Sequence, residues 1–147
     1  MKYYSDDVNF NLKRGTEFSA GLDLPFYDPD VFEVTVLPGE HVKLPTGLYL
    51  EVQKGCVAFL DSRSSTSKLH LDLLCRTVDS DYRGQVYTVF MNVGVEPVII
   101  KRGQCLAQVL EIPCYLGDPV KLDSRDELST TGRGDGGFGS TDKKGSV

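Results

Sequence analysis

The feature that most limits the possible folds is a series of short apolar segments separated by turn residues. From residue 31 onward these segments read VFEVTVL, HVKL, GLYLEV and CVAFLD, with Pro38-Gly39, Pro45 and Lys54-Gly55 between them. LHLDLL, VII and CLAQVLEI continue the series, and no helical period extends over ten or more residues. Such spacing is typical of antiparallel strands joined by tight turns. The sequence therefore predicts an all-β fold, a compact antiparallel sandwich or barrel with jelly-roll topology.

The end of the chain has a different composition. Ser129 to Val147 consists mainly of Gly, Ser and Thr, with Phe138 the only large apolar residue before Val147. A segment of this kind cannot build a hydrophobic core of its own. We therefore expect a β-barrel domain of residues 1–128 and a flexible, Gly-rich C-terminal arm of residues 129–147.

Composition and charge exclude several classes of protein. The 147 residues are 40% hydrophobic, enough for a single core, and the net charge of −5 argues against a general nucleic-acid binder. Four cysteines lack the CxxC spacing and adjacent histidines of a zinc site and do not indicate a disulfide framework. The N-terminus does not resemble a signal peptide, and no apolar stretch approaches the length of a membrane span. We expect a cytoplasmic protein.

The stretch from Val78 to Asn92, which reads VDSDYRGQVYTVFMN, is the best candidate for a loop that carries chemistry. Asp79 and Asp81 precede the turn residues Tyr82-Arg83-Gly84. The segment after the turn is apolar or β-branched on both faces, which predicts a strand buried on both faces. Taken alone, an Asp-x-Asp pair before a turn is equally consistent with ordinary Asx-turn chemistry.

A general base, if the protein has one, is predicted to be a carboxylate. The only histidines are His41 and His70, and each falls on a predicted strand with no other sign of a catalytic role. Aspartate side chains are generally ionised at neutral pH and can orient and deprotonate a water molecule. Asp79, in the turn-rich loop, is the best candidate for this role.

Two further segments carry groups suited to binding phosphate. Ser62-Arg63-Ser64-Ser65 places a guanidinium beside three hydroxyls directly after a predicted strand. The segment 133–141, RGDGGFGST, combines a cation, hydroxyls, an aromatic ring and glycines whose amides can form an anion-binding nest. A polar loop and a flexible linker are the structural alternatives for these two segments.

Five segments, taken together and in order, resemble the motifs of the trimeric dUTP pyrophosphatase (dUTPase) family. They are AGLDL (20–24), SRSS (62–65), VDSDYRG (78–84), RGQCLAQ (102–108) and RGDGGFGST (133–141). The resemblance implies a distorted jelly-roll homotrimer with three active sites, each built from three chains. It also implies magnesium-dependent hydrolysis of dUTP to dUMP and pyrophosphate, which keeps uracil out of DNA and supplies dUMP for dTMP synthesis.

The resemblance also implies roles for individual residues. Asp79 would activate the attacking water, Tyr82 would pack against the deoxyribose, and Asp23 would lie near Arg63 or the water shell of the magnesium ion. The remaining substrate contacts would come from Arg63, Ser64, Ser65, Cys75, Gln108, Arg133, Phe138, Gly139, Ser140 and Thr141. Of these, Phe138 would cover the uracil, and Arg133, Ser140 and Thr141 would hold the γ-phosphate.

Four positions depart from the family pattern. Ser62 replaces a frequent proline, Ser65 a frequent glycine, and Asp142 the usual glycine after Ser-Thr. Arg76 stands three residues before Asp79, where the family usually has glycine, in a segment whose backbone approaches the uracil. The departure at Arg76 therefore concerns the segment that carries base recognition in the family.

Other functions remain as alternatives. A dCTP deaminase shares the fold and an Arg-Ser-Ser stretch, but its chemistry requires a glutamate on the strand after the loop, and residues 52–95 contain none. A dUTPase-fold protein that binds a regulatory partner, with secondary or absent catalysis, is a second alternative, although the sequence identifies no partner. A capsid-like jelly roll is a third, which gives no reason for the composition of the arm.

Overall fold

The computed structural model describes residues 1–136, which form ten β-strands and two short 3-10 helices and contain no α-helix. The strands are β1 (Lys2–Ser5), β2 (Leu22–Pro25), β3 (Glu33–Val36), β4 (His41–Glu51), β5 (Cys56–Ser62), β6 (Leu71–Leu73), β7 (Thr77–Val78), β8 (Gln85–Asn92), β9 (Val98–Lys101) and β10 (Cys105–Pro113). The 3-10 helices span Thr66–Leu69 and Arg125–Glu127. The all-β prediction is confirmed.

The strands form antiparallel sheets arranged as a jelly-roll barrel. One four-stranded sheet has the order β1-β4-β8-β6 and another the order β2-β10-β5-β7, while β3 and β9 pair separately. Leu48, Leu60, Phe90 and Val109, one from each of the four central strands, are fully buried in a single hydrophobic cluster. The central strands are therefore a rigid support for the loops at their ends.

Strand β8 is buried on one face rather than on both, so this part of the prediction was wrong. Its buried residues alternate with half-buried ones, beginning with buried Val86 and ending with buried Asn92. β8 is paired on both edges, with β4 and β6, but only one face of its pleat meets the core. The sequence pattern reflects the apolar character of the second face, which is only partly covered.

Strand β4 is continuous, whereas the sequence predicted two strands interrupted at Pro45. The pairing with β8 shifts register between Pro45 and Tyr49. Gly47 has a φ of 66° within this irregular stretch, and the buried Thr46 hydroxyl donates to the Val86 carbonyl at 2.7 Å. The side-chain hydrogen bond and the glycine conformation thus carry the strand past a residue that has no N–H to donate.

His70 was expected on a strand, but it lies at the C-terminal end of the 3-10 helix Thr66–Leu69. Its φ of 53° makes it the one non-glycine residue with a positive φ among residues 1–136. Its N–H donates to the Ser67 carbonyl at 3.2 Å. The tight end of this helix therefore sets the conformation of His70, and apolar periodicity could not reveal it.

The backbone divides into a unit of residues Met1–Leu116 and a second unit that begins at Gly117. In the second unit, Ser124 and Glu127 form a capping box around the 3-10 helix Arg125–Glu127. The predicted boundary between a domain of residues 1–128 and an arm of residues 129–147 stays a prediction. No helix within residues 1–136 is long and apolar enough to cross a membrane.

Candidate functional site

Asp79 is an exposed carboxylate at the end of the shortest strand. The pairing of β7 with β5 ends at Val78, opposite Ala58, and the Tyr82 N–H donates to the Asp79 carbonyl at 3.1 Å to close a turn. Asp79 lines a groove of about 860 Å³ whose other lining residues include Cys56. The ladder thus fixes the backbone before Asp79, while its carboxylate is accessible to a ligand.

The ring of Tyr82 lies against Gly84. A Cβ atom added to Gly84 would come 2.3 Å from the Tyr82 hydroxyl oxygen, so only a glycine leaves room for the ring in this position. The Tyr82 hydroxyl donates to the Gln85 carbonyl at 3.0 Å, and the residue is 45% exposed. The ring is therefore held at its hydroxyl end and along one side, and still presents surface to a ligand.

A second group of predicted residues assembles where β2, β5 and β10 meet. The Arg63 Nε atom lies 3.0 Å from the Asp23 carboxylate, and an Arg63 terminal nitrogen donates to the Cys105 carbonyl at 3.0 Å. Gln108 is the register partner of Asp23 on the neighbouring strand. A Cβ atom on Gly21 would lie 2.1 Å from the Gln108 amide oxygen. Gly21 therefore allows the Gln108 side chain to lie beside the ion pair.

Ser64 and Ser65 of the SRSS segment directly precede the 3-10 helix Thr66–Leu69, whereas Ser62 is the last residue of β5. Ser64 and Ser65 are exposed, while Thr66, which sequence analysis did not select, is fully buried. The Thr66 hydroxyl donates to the Leu106 carbonyl at 2.6 Å. This bond attaches the segment to β10, and the only advance signal was a β-branched hydroxyl residue directly after the two serines.

The thiol next to the Asp23–Arg63 pair is not poised as a nucleophile. Burial raises the pKa of the Cys105 thiol, the Asp23 carboxylate raises it further, and the Arg63 guanidinium opposes both effects. A raised thiol pKa leaves less reactive thiolate at neutral pH. The guanidinium, amide and hydroxyl groups of this cluster have the chemistry to bind an anion such as phosphate.

Cys75 and Arg76 lie in the connection between β6 and β7. Cys75 is exposed, and the Arg76 guanidinium makes ion pairs with Asp61, at 2.7 Å, and with Asp72, at 3.7 Å. The Arg76 carbonyl accepts the Leu60 N–H at 2.6 Å. The departure from the family pattern at Arg76 is thus accompanied by two carboxylates that hold its side chain.

Within one chain, Asp79 and Arg63 lie near opposite ends of β5. The register places Val78 opposite Ala58, so Asp79 is level with Val57, whereas Arg63 follows the last residue of β5. Six residues of extended strand separate these levels, or roughly 20 Å at about 3.3 Å per residue. The structure therefore brings Asp23, Arg63 and Gln108 together and places Asp79 and Tyr82 elsewhere on the same chain.

The described part of the arm makes contacts within itself and with the residues just before it. Arg133 Nε donates to the Gly136 carbonyl at 2.8 Å, and the Arg125 and Asp135 side chains form an exposed ion pair at 2.6 Å. The predicted contacts Phe138, Gly139, Ser140 and Thr141 lie outside the described residues. Residues 1–136 contain no cluster of three or more His, Cys, Asp or Glu side chains that could hold a metal ion.

The family model and the similar proteins indicate the same family. The family model described as dUTPase matches residues 10–142. The deoxyuridine 5'-triphosphate nucleotidohydrolase of Desulfitobacterium hafniense (strain DSM 10664 / DCB-2) is 40% identical over 131 residues, covering 86% of this chain and 80% of the relative. The enzyme of the same name from Bartonella bacilliformis is 38% identical over 143 residues, covering 88% and 80%.

Solved structures agree with this comparison at the level of the fold. The dUTPase of Staphylococcus bacteriophage 80alpha, with dUPNHPP, superposes with a TM-score of 0.82 at 20% identity and covers 95% of this chain and 96% of its own. The dUTPase from phage phi11 of S. aureus superposes with a TM-score of 0.76 at 18% identity, covering 86% and 98%. At these identities the likeness concerns the fold alone.

Proposed function

Because this chain belongs to the dUTPase family, we propose that it hydrolyses dUTP to dUMP and pyrophosphate, and so keeps uracil out of DNA and supplies dUMP for dTMP synthesis. The observation that carries the proposal is the identity of 40% over 86% of the chain with a deoxyuridine 5'-triphosphate nucleotidohydrolase. The exposed Asp79 carboxylate, the partly exposed Tyr82 ring and the separate cluster of Asp23, Arg63 and Gln108 support the proposal. We place the reaction in the cytoplasm.

Asp79 is the general base in this proposal. Its exposed carboxylate accepts a proton from a water molecule, whose oxygen forms a bond to the α-phosphorus while the bond from the α-phosphorus to the oxygen that bridges to the β-phosphate breaks. The pyrophosphate leaves with the bonding electron pair. Hydrolysis of a phosphoanhydride needs positioning and charge neutralisation more than covalent catalysis.

Arg63 is the main phosphate ligand supplied by the second cluster. A guanidinium has five N–H donors, and the contacts with Asp23 and the Cys105 carbonyl engage only two of its three nitrogens. The remaining donors can bind phosphate oxygens while Asp23 fixes the orientation of the fork. Gln108, Ser64 and Ser65 add neutral donors around the same substrate group.

The nucleoside is recognised by the Asp79 side of the site. Tyr82 packs against the deoxyribose and occupies the space that a 2′-hydroxyl would need, as its half-exposed and anchored ring permits. The backbone at Cys75 contacts the base. From the arm, Arg133, Ser140 and Thr141 hold the γ-phosphate, Gly139 contributes its backbone and Phe138 covers the uracil.

The chain fits a magnesium ion that the substrate itself helps to hold. Mg²⁺ keeps several waters and is usually bound through substrate phosphates with one or two carboxylates. The half-exposed Asp23 carboxylate can accept hydrogen bonds from its water shell, so a dense carboxylate cage is not required. When bound, the ion neutralises charge on the triphosphate. Asp23 and the substrate are therefore the groups that would hold it.

The separation along β5 supports a site shared between chains of a homotrimer. A general base must reach the attacking water within hydrogen-bond distance while Arg63 binds the same triphosphate. A gap of roughly 20 Å within one chain does not allow this. In a trimer with closed cyclic symmetry, Asp79 of one chain can face Arg63 of the next, and the arm can come from the third.

A panel of nucleotides tests the proposed function. The protein is incubated with magnesium and dUTP, dCTP, dTTP or UTP separately, and the products are separated by anion-exchange chromatography. We expect dUMP and pyrophosphate from dUTP and little product from the other three. Conversion of dCTP to dUTP would identify a deaminase instead, and no turnover of any nucleotide would contradict an enzymatic role.

A further inference from the structure

Arg76 links the two large sheets at the segment that leads to Asp79. One terminal nitrogen of its guanidinium lies 2.7 Å from the Asp61 carboxylate on β5, and the other lies 3.7 Å from the Asp72 carboxylate on β6. β5 and β6 belong to different four-stranded sheets. The Arg76 side chain, which is 37% exposed, therefore connects the segment between β6 and β7 to one strand of each sheet.

Few other contacts fix this segment. β7 has two residues, lies at the edge of its sheet and pairs only with β5. At the start of the connection the Leu74 N–H donates to the Val89 carbonyl at 2.8 Å, and at its end the Arg76 carbonyl accepts from Leu60. Between these bonds lies the exposed Cys75. The bridge made by Arg76 is thus the main side-chain restraint on the backbone at Cys75.

We propose that Arg76 is a positioning residue that determines base selectivity by holding the backbone at Cys75 against Asp61 and Asp72. This inference rests on the proposed function, in which that backbone contacts the base. Uracil and cytosine differ in the donors and acceptors along one edge. A fixed backbone N–H or C=O rejects the base with which it cannot pair, whereas a loose one adapts to either.

Asp61 and Asp72 both contribute to the restraint on Arg76, but not equally. Asp61 is the closer partner and lies on β5, directly before the SRSS segment, whereas Asp72 is four residues before Arg76 and more exposed. Removal of Asp61 leaves the guanidinium with the longer contact to Asp72 alone. We therefore expect Asp61→Asn to weaken the restraint less than Arg76→Gln does, and in the same direction.

The test compares hydrolysis of dUTP and dCTP by Arg76→Gln, Asp61→Asn and the wild-type protein. We expect the ratio of kcat/KM for dUTP to that for dCTP to fall about fivefold in Arg76→Gln, the scale of a partly exposed ion pair. The loss should arise mainly from a higher KM for dUTP, because the β5–β7 ladder still positions Asp79. Arg76→Lys, which keeps the charge, should recover part of the ratio.

A matched control removes an ion pair of the same length elsewhere. Lys2 and Glu51 are joined at 2.7 Å across β1 and β4, so Lys2→Gln should leave the ratio unchanged. Amide hydrogen exchange gives a readout that does not depend on activity. The Leu60 N–H, which donates to the Arg76 carbonyl, should exchange faster in Arg76→Gln than in Lys2→Gln.

The outcomes separate this inference from the proposed function. An unchanged ratio in both Arg76→Gln and Asp61→Asn overturns the selectivity role, as does an equal loss of kcat/KM for both nucleotides. If Arg76→Gln fails to fold, the ratio of kcat/KM for dUTP to that for dCTP in Asp61→Asn and Arg76→Lys tests the selectivity role instead. A wild-type protein that does not hydrolyse dUTP contradicts the proposed function, and faster Leu60 exchange in Arg76→Gln would then still support the restraint.

Discussion

Asp79 combines a fixed backbone with an exposed carboxylate, and this combination suits a general base. The ladder with β5 ends one residue before it, and the turn closed by the Tyr82 N–H begins at its own carbonyl. The side chain can therefore approach a ligand without any change in the strand.

We expect Asp79→Asn to bind dUTP but to lower kcat by about 10² to 10⁴, the usual contribution of a positioned general base. The amide is close in size to the carboxylate but cannot accept the proton from water. Steady-state kinetics and dUTP binding by calorimetry measure the two effects separately, with Asp81→Asn as the control in the same loop. A variant that turns over dUTP at the wild-type rate would remove Asp79 from this role.

Gly84 makes the position of the Tyr82 ring testable without changing the ring itself. A Cβ atom at residue 84 would overlap the ring, so Gly84→Ala must displace it. We expect Gly84→Ala to lower the ratio of kcat/KM for dUTP to that for UTP, as Tyr82→Ala should. Gly15→Ala, whose Cβ would make an ordinary 3.6 Å contact, should preserve the ratio. A wild-type ratio in all three variants would exclude steric selection by this ring.

At the scale of single elements, the central strands were predictable because their buried positions require apolar residues, which the sequence shows directly. CVAFLD and CLAQVLEI are apolar enough to reveal β5 and β10. β1 and β2 were missed, because KYYS and LDLP become strands through pairing with β4 and β10 rather than through their own periodicity. Tertiary context decides the structure of such short segments.

The same distinction applies to the candidate site. The sequence selected Asp79 and Arg63 from local motifs and Gln108 through the family resemblance, and their roles stay predictions. The structure pairs Arg63 with Asp23, as the resemblance implied. The bridge from Arg76 to Asp61 was not predictable, because the two residues are fifteen apart and meet only when β7 pairs with β5. The buried anchor Thr66 was missed for a similar reason, since its partner lies on β10.

The arm is the element whose removal should separate stability from activity. Residues 131–135 are exposed, and the ion pair between Arg125 and Asp135 is 77% and 85% exposed on its two sides. A pair this exposed contributes little to stability. We therefore expect a chain that ends at Thr130 to keep its melting temperature nearly unchanged and to lose most of its turnover.

Thermal unfolding followed by circular dichroism and the dUTP assay check this prediction together. A chain that ends at Gly139 is the matched control, because it keeps Arg133 and Phe138 but lacks the Ser140 and Thr141 hydroxyls. It should show the same stability with an intermediate activity. A large drop in melting temperature for the chain that ends at Thr130 would show that the arm is a structural element.

At the scale of the whole molecule, charge and strand length together determine how a triphosphate can be bound. The net charge of −5 does not attract an anion over long distances, so the proposed site relies on local cations, Arg63 and Arg133. The length of β5 keeps Arg63 far from Asp79 within one chain. We therefore expect the functional unit to contain more than one chain.

Reassembly of two inactive variants tests directly whether the functional unit contains more than one chain. Asp79→Asn and the chain that ends at Thr130 are unfolded together and refolded in equal amounts, with refolded wild-type protein as the control for recovery. A site that takes its base from a truncated chain and its arm from a full-length Asp79→Asn chain is complete, and random mixing of trimers produces this in about a quarter of the sites.

We predict recovery of dUTP hydrolysis to about a quarter of the refolded wild-type activity, with mixed trimers demonstrated by native mass spectrometry. Each variant refolded alone should stay inactive. Mixed trimers that recover no activity would contradict the account, because they would show that the base and the arm of each site belong to the same chain.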